Sequence, residues 1–171
     1  MVDLEPIEDE RGFFARAWCA REFGERGLES RIVQCSISYN KNRGTLRGMH
    51  WQQAPHEEVK LVRCIRGAIY DVIADLRPTS PAYGRWISVQ LSDQNRQLLY
   101  VPKGFAHGFQ TLEDDTEIFY AMSEFYAPEA GRGFRYDDPA FAIEWPETED
   151  LLIADRDQSW PDFELSGAAA P

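Results

Sequence analysis

Apolar and polar positions alternate in short runs along most of this chain. Turn-forming residues break the runs roughly every ten positions. The pattern predicts strands in "RIVQCSISY", "GTLRGMHWQ", "VKLVRCIRG", "AIYDVIADL", "GRWISVQL", "RQLLYVP", "GFQTL" and "TEIFYAMSEFY". The punctuation between them is "RG" at 66–67, "RPTSPAYG" at 77–84, "SDQN" at 92–95 and "PKG" at 102–104. Helical periodicity is confined to "CAREFGERG" near the start and "EDLLIADRD" near the end. Many short strands with little helix predict an all-β jelly-roll barrel, since closing two sheets over one core leaves few exposed edges. The 171 residues predict a single domain, long enough to bury a core without disulfides. From residue 165 onward the small-residue tail is expected to be loosely ordered.

Several polar residues do not suit a plain core. "GTLRGMHWQ" reads as a buried strand, yet it carries Arg47 and His50. A regular strand puts His50 and Gln52 on one face and Arg47, Met49 and Trp51 on the other. Gly48 permits a bulge that would change this phase. In the late strand Tyr120, Met122, Glu124 and Tyr126 share a face. They either meet an extended ligand or close ordinary sheet packing at the barrel mouth. Lys60 opens "KLVRCIRG", as a surface lysine or a paired buried one. "VPKGFAHGF" sets His107 between phenylalanines, as a hydrogen-bonded core histidine or a functional one. "DERGFF" makes Arg11 part of a charged turn when read alone.

Charge narrows the choice of partner. Lys and Arg total 18 against 29 Asp and Glu, a net charge of −11. That argues against a nucleic-acid backbone or an anionic membrane as partner. A few local arginines can still hold one small anionic ligand through its phosphates. His50, with an unperturbed pKa near about 6.5, could then act as a base. Cys19, Cys35 and Cys64 are widely spaced and odd in number, so neither a disulfide framework nor a zinc site is expected. Reduced thiols, with no secretory pattern and no apolar run of membrane-spanning length, are read as a cytoplasmic protein.

The motifs "DERGFF", "GTLRGMHWQ", "KLVRCIRGAIYDVIADLRPTSPAYGRW", "LSDQNRQLLYVPKGFAHGFQTL" and "FYAPE…DDPAFAIEWP" together resemble the dTDP-4-dehydrorhamnose 3,5-epimerase family, over about residues 5–160. The resemblance implies a cupin-type barrel, a homodimer with strand exchange, and catalysis without metal or organic cofactor. The substrate it implies is a nucleotide-linked 4-keto-6-deoxyhexose, epimerised at C3, C5 or both. By the same resemblance His50 is the base, Tyr120 the acid, and Asp157 the carboxylate paired with the base, with Asp155 as an alternative register. Lys60 matches the lysine near the enolate oxygen and His107 a second pocket histidine. Arg11 and Arg47 match diphosphate ligands, one of them supplied across the dimer. Tyr126 matches the aromatic that stacks on the nucleotide base, and Arg156 stands where the family has a lysine.

The sequence departs from the family at the nucleotide end. Gln34, Cys35 and Ser36 replace "QDN", Arg16 stands at a glutamate site, and Gly131 replaces another glutamate beside Arg132. Gln34, Ser36, Arg16 and Arg132 are therefore candidate contacts to the nucleotide, and GDP- or CDP-linked sugars stay open beside dTDP. Two other classes stay in view. One is a metal-dependent cupin with an ion between His50, Glu57 and His107. The other is a sugar-nucleotide binding module without catalysis.

Overall fold

Two antiparallel sheets face each other and enclose a lumen. In this computed structural model residues 1–165 are described. The first sheet runs β3 (Gln34–Asn40), β10 (Thr116–Met122), β5 (Lys60–Arg66) and β8 (Leu98–Val101). The second runs β11 (Gly131–Gly133), β4 (Thr45–Gln52), β9 (Phe105–Thr111), β6 (Ala68–Asp75) and β7 (Trp86–Ser92). A short β12 (Leu152–Ile153) lies parallel to β4. The strands expected from the alternation are all present, in the all-β architecture expected.

Between the sheets lie Val62, Ile69, Leu91, Phe109 and Ile118, all at most 1% exposed. Each such side chain contributes about 1.5–3 kcal/mol on leaving water. A second cluster covers the outer face of the second sheet. There Leu46, Met49, Val72 and Phe134 pack beneath Phe141, Ile143 and Trp145 of the C-terminal chain. Strands β4, β6 and β9 are thus covered on both faces. This explains why "AIYDVIAD" is nearly all apolar rather than alternating.

Three details differ from the sequence expectation. Strand β10 stops at Met122, where Ser123 turns to exchange hydrogen bonds with Val59. Glu124 and Tyr126 therefore lie in the loop beyond and do not share a strand face with Tyr120. The stretch "EDLLIADRD" is not one helix: it divides into β12 and a four-residue α2 (Asp155–Gln158), because Leu152 and Ile153 pair with Thr45 and Leu46. An exposed hairpin, β1 (Ile7–Asp9) and β2 (Gly12–Phe14), precedes the expected helix α1 (Ala20–Glu25). Of the tail, Leu165 packs against the outer cluster, and the rest lies outside the described residues. Among the described residues no helix is long and apolar enough to cross a membrane.

The turn after β6 is held by a buried carboxylate. Asp75 is 1% exposed and accepts from Arg77 Nε at 2.8 Å, Arg77 Nη2 at 2.6 Å and Ser80 Oγ at 2.5 Å. The guanidinium, outweighing burial, holds its pKa down at about 2. A carboxylate depressed in this way stabilises the fold above its unfolded pKa of about 3.9 and loses that contribution as pH falls through the folded value. Asp75→Asn should therefore cost roughly 2 kcal/mol at neutral pH. Urea unfolding should show the gap from wild type narrowing as the pH falls towards about 2.

Candidate active site

The site begins where β4 crosses β9. Leu46 faces Gln110 and Arg47 faces Phe109, but the next aligned pair is His50 with His107. Gly48 and Met49 together oppose Gly108, a bulge of one extra residue. The strands can bulge here because both backbones are bare. A Cβ on Gly48 would lie 2.5 Å from Gly108 Cα, and Gly48 has φ +129°. The bulge sends Met49 into the outer cluster and brings Arg47 round to the face of His50. The regular-strand phase, with Arg47 beside Met49, is therefore not adopted.

Both residues line a cavity of about 580 Å³ at one end of the lumen. His50 Nε2 lies 2.7 Å from Asp157 Oδ1. Asp157 Oδ2 accepts the Gly48 N–H at 3.3 Å. Of the two aspartates considered from the sequence, Asp157 is the one beside the imidazole. Its side chain is only 7% exposed. Burial alone would raise its carboxyl pKa, but His50, the Gly48 N–H and Arg156 hold it below the usual carboxylate range. It is thus a carboxylate that orients the ring.

The facing sheet supplies Tyr120 and Lys60 from β10 and β5. Burial, and then the charge of Asp71, push the Tyr120 phenol far above the ordinary tyrosine range against the pull of Arg47. It stays protonated at neutral pH and can donate. Lys60 is not a surface residue: its side chain is 14% exposed and Nζ lies 3.2 Å from Glu58. His107 is buried, lines the same cavity, and stands 2.5 Å from Asp71 through Nε2. Its ring meets Tyr120 edge-on at 6.2 Å. Arg47 is fixed through Nε to Asn40 Oδ1 at 2.7 Å.

At the rim are Gln34, Ser36, Tyr126, Arg132 and Arg156. The Tyr126 loop is pinned by Gln52, whose amide serves Phe125 O, His56 O and the Ala127 N–H. Arg132 donates to the carbonyls of Glu129 and Gly131. Two expected residues are elsewhere in the single chain. Arg11 sits at the tip of the β1–β2 hairpin, 89% exposed and paired with Asp9. Arg16 pairs with Glu22 at 2.9 Å beside a different cavity. Residues the sequence reading missed are Asp71, Asn40 and Glu58. Only Asp71 left a signal: a lone carboxylate inside the apolar run "AIYDVIAD".

An imidazole and a protonated phenol thus reach one cavity from opposite sheets, and Lys60 and Arg47 line it with them. The sequence matches the dTDP-4-dehydrorhamnose 3,5-epimerase family profile over residues 1–164. The chain belongs to the dTDP-4-dehydrorhamnose 3,5-epimerase family. A family enzyme of Methanothermobacter thermautotrophicus is 44% identical over 162 residues, covering 94% of this chain and 86% of that one. The Bacillus anthracis enzyme, crystallised with TDP and PPi bound, superposes with a TM-score of 0.90 at 38% identity, over 94% and 91% of the two chains. The Legionella pneumophila enzyme, in complex with dTDP-4-keto-L-rhamnose, has a TM-score of 0.86 at 36% identity, over 92% and 84%. The cupin-type barrel of this epimerase family is the fold described above.

In this family member, Gly48→Ala should be costly at the site and in the fold together. The side chain would collide with Gly108, and the backbone conformation alone carries roughly 1–3 kcal/mol of strain for a non-glycine residue. A lower urea midpoint and a lower turnover number in the same variant are the expected results.

Proposed function

We propose that this chain is a dTDP-4-keto-6-deoxyhexose 3,5-epimerase in which His50 and Tyr120 exchange protons on opposite faces of the sugar. The carrying observation is that His50, paired with Asp157, and the protonated Tyr120 line one cavity from opposite sheets. A ketone at C4 acidifies the protons on C3 and C5. His50 takes one of them as the C–H electrons move into the carbonyl, and an enolate forms. Lys60 meets the charge on the enolate oxygen. Tyr120 returns a proton to the other face of the carbon, the enolate collapses to the ketone, and the configuration is inverted. No electron leaves or enters, so the chemistry calls for no redox partner.

Arg47, His107 and the rim residues Gln34, Ser36, Tyr126, Arg132 and Arg156 hold the rest of the nucleotide sugar in this reading. Thymidine diphosphate is the favoured carrier, in line with the family. Of the changes from the family pattern, Ser36 and Gly131 line the cavity and Cys35 does not, so the alternative carriers belong in the test. The metal-dependent reading is weakened by geometry: His50 and His107 are each engaged by an aspartate, and Glu57 does not line the cavity. We place the enzyme in the cytoplasm, consistent with three free cysteines, of which buried Cys64 has its thiol pushed up to about 11 by desolvation.

The test follows ring protons by NMR in heavy water, with dTDP-, GDP- and CDP-linked 4-keto-6-deoxysugars. Deuterium should enter C3 and C5 of the dTDP sugar. His50→Ala and Tyr120→Phe should each slow the reaction by about 10²–10⁴-fold. Binding without exchange would instead identify a non-catalytic module, and undiminished exchange in His50→Ala would remove that residue from the mechanism.

We infer that the exposed hairpin carries Arg11 into a second copy of this chain. Ile7 and Phe14 are 71% and 69% exposed, an apolar surface on a ribbon with no cover in the single chain. In the proposed strand-exchanged homodimer Arg11 reaches the partner's cavity and binds diphosphate. Co-expressed Arg11→Ala and His50→Ala chains should then regain activity. Random pairing dictates roughly a quarter of wild-type sites. No recovery would place Arg11 outside the partner's site.

A further inference from the structure

The carboxylate that orients His50 is carried on α2, which is too short to hold itself. A four-residue helix has no independent stability, and α2 has no side-chain N-cap. It hangs between β12 and Trp160. We propose that Trp160, seated on Gly133, is the positioning residue that holds Asp157 against His50.

The observations converge on one contact. Gly133 of β11 is the residue directly opposite His50 in β4. The Trp160 indole packs directly against this glycine. A Cβ there would collide with Cε2 and Nε1 of the ring and lie 2.9 Å from Cδ1. The ring is thus located one strand away from the base, at the end of the segment that carries Asp157. The Arg156 guanidinium also lies over the ring, 5.3 Å from its centroid, so residues on either side of Asp157 in the chain clasp each other. Beyond it, Trp160 O accepts from Arg135 Nη1 at 3.3 Å, and Arg135 also pairs with Asp162 at 2.6 Å.

The indole Nε1 is buried and meets no acceptor among the described residues. A buried donor without a partner is unfavourable. The seat is therefore one of shape, ring on bare backbone, and not of hydrogen bonding. Glycine at position 133 is what leaves room for it. Arg156, expected from the sequence to touch substrate, has a second task in this arrangement as the outer half of the clasp.

The inference rests on the reading that the His50–Asp157 pair removes the proton. Trp160→Ala and Gly133→Ala disturb the contact from its two sides. Each should lower kcat at least about 10-fold, the scale of losing an orienting partner. KM should change less than kcat, because Gln34, Ser36 and Tyr126 of the cavity rim are untouched and only Arg156 loses the ring it rests on. Trp160→Phe, which keeps an aromatic ring on the glycine, should recover most of the loss. Trp160→Leu should fall between, and both remain readable if the alanine variant does not fold. In an Asp157→Asn background Trp160→Ala should bring no further loss, since contacts that act through one group are not additive. Losses that multiply in that background, or a wild-type kcat in Gly133→Ala and Trp160→Leu, would overturn the assignment. Absence of exchange in the wild-type enzyme would instead overturn the proposed function. Wild-type exchange that Asp157→Asn reduces but the Trp160 and Gly133 variants leave intact would overturn only the role of Trp160.

Discussion

Where β4 crosses β9, Gly48 and Gly108 meet with no side chain between them, and the site's geometry depends on that contact. It lets one strand carry an extra residue, so that Arg47 and His50 turn to the same side. It also presents the Gly48 N–H to Asp157, the carboxylate that orients His50. A side chain at either glycine would drive the backbones apart. The placing of the Arg47 guanidinium beside the His50–Asp157 pair is therefore a consequence of one close approach of main chain to main chain.

Around that contact the protein sorts like residues into unlike roles. Two histidines face each other across β4 and β9, and each has its own aspartate. His50 keeps 40% of its side chain exposed and can reach a ligand, while His107 is buried against Tyr120. Asp71, at the centre of a two-sided core, acts on the phenol through space and helps to keep it protonated. An acidic protein thus carries a small cationic chamber. Lys60, Arg47 and Arg156 are each held by a partner before any ligand arrives. That preorganisation spares the reaction the cost of gathering them.

Much of the barrel was legible because strand alternation and turn residues are local signals. The expected strands of both sheets formed, and β5 and β6 are separated at the "RG" turn as read. What failed was non-local. The turn or two of helix expected in "EDLLIADRD" was cut to one turn, Asp155–Gln158, because Leu152 and Ile153 found an open edge of β4. The shared face drawn through Tyr120 and Tyr126 ended at Ser123, which turns to bond Val59. The phase of "LRGMH" depended on which residue met Gly48 from the next strand. The burial of Lys60 was likewise set from outside the local run, since β5 is flanked by β8 and β10, although its partner Glu58 stands only two positions earlier.

The sequence by itself determined the class of fold, the family, and a small set of residues with acid–base and anion-binding chemistry. Periodicity and motif spacing are written along the chain and need no third dimension. Only the tertiary structure decided which of those residues share a chamber, which aspartate meets His50, and that Arg11 and Arg16 stand apart from it in one chain. The reason is that register, bulge and burial on both sheet faces are set by contacts between segments 60 to 110 positions apart. No local run of residues encodes such distances.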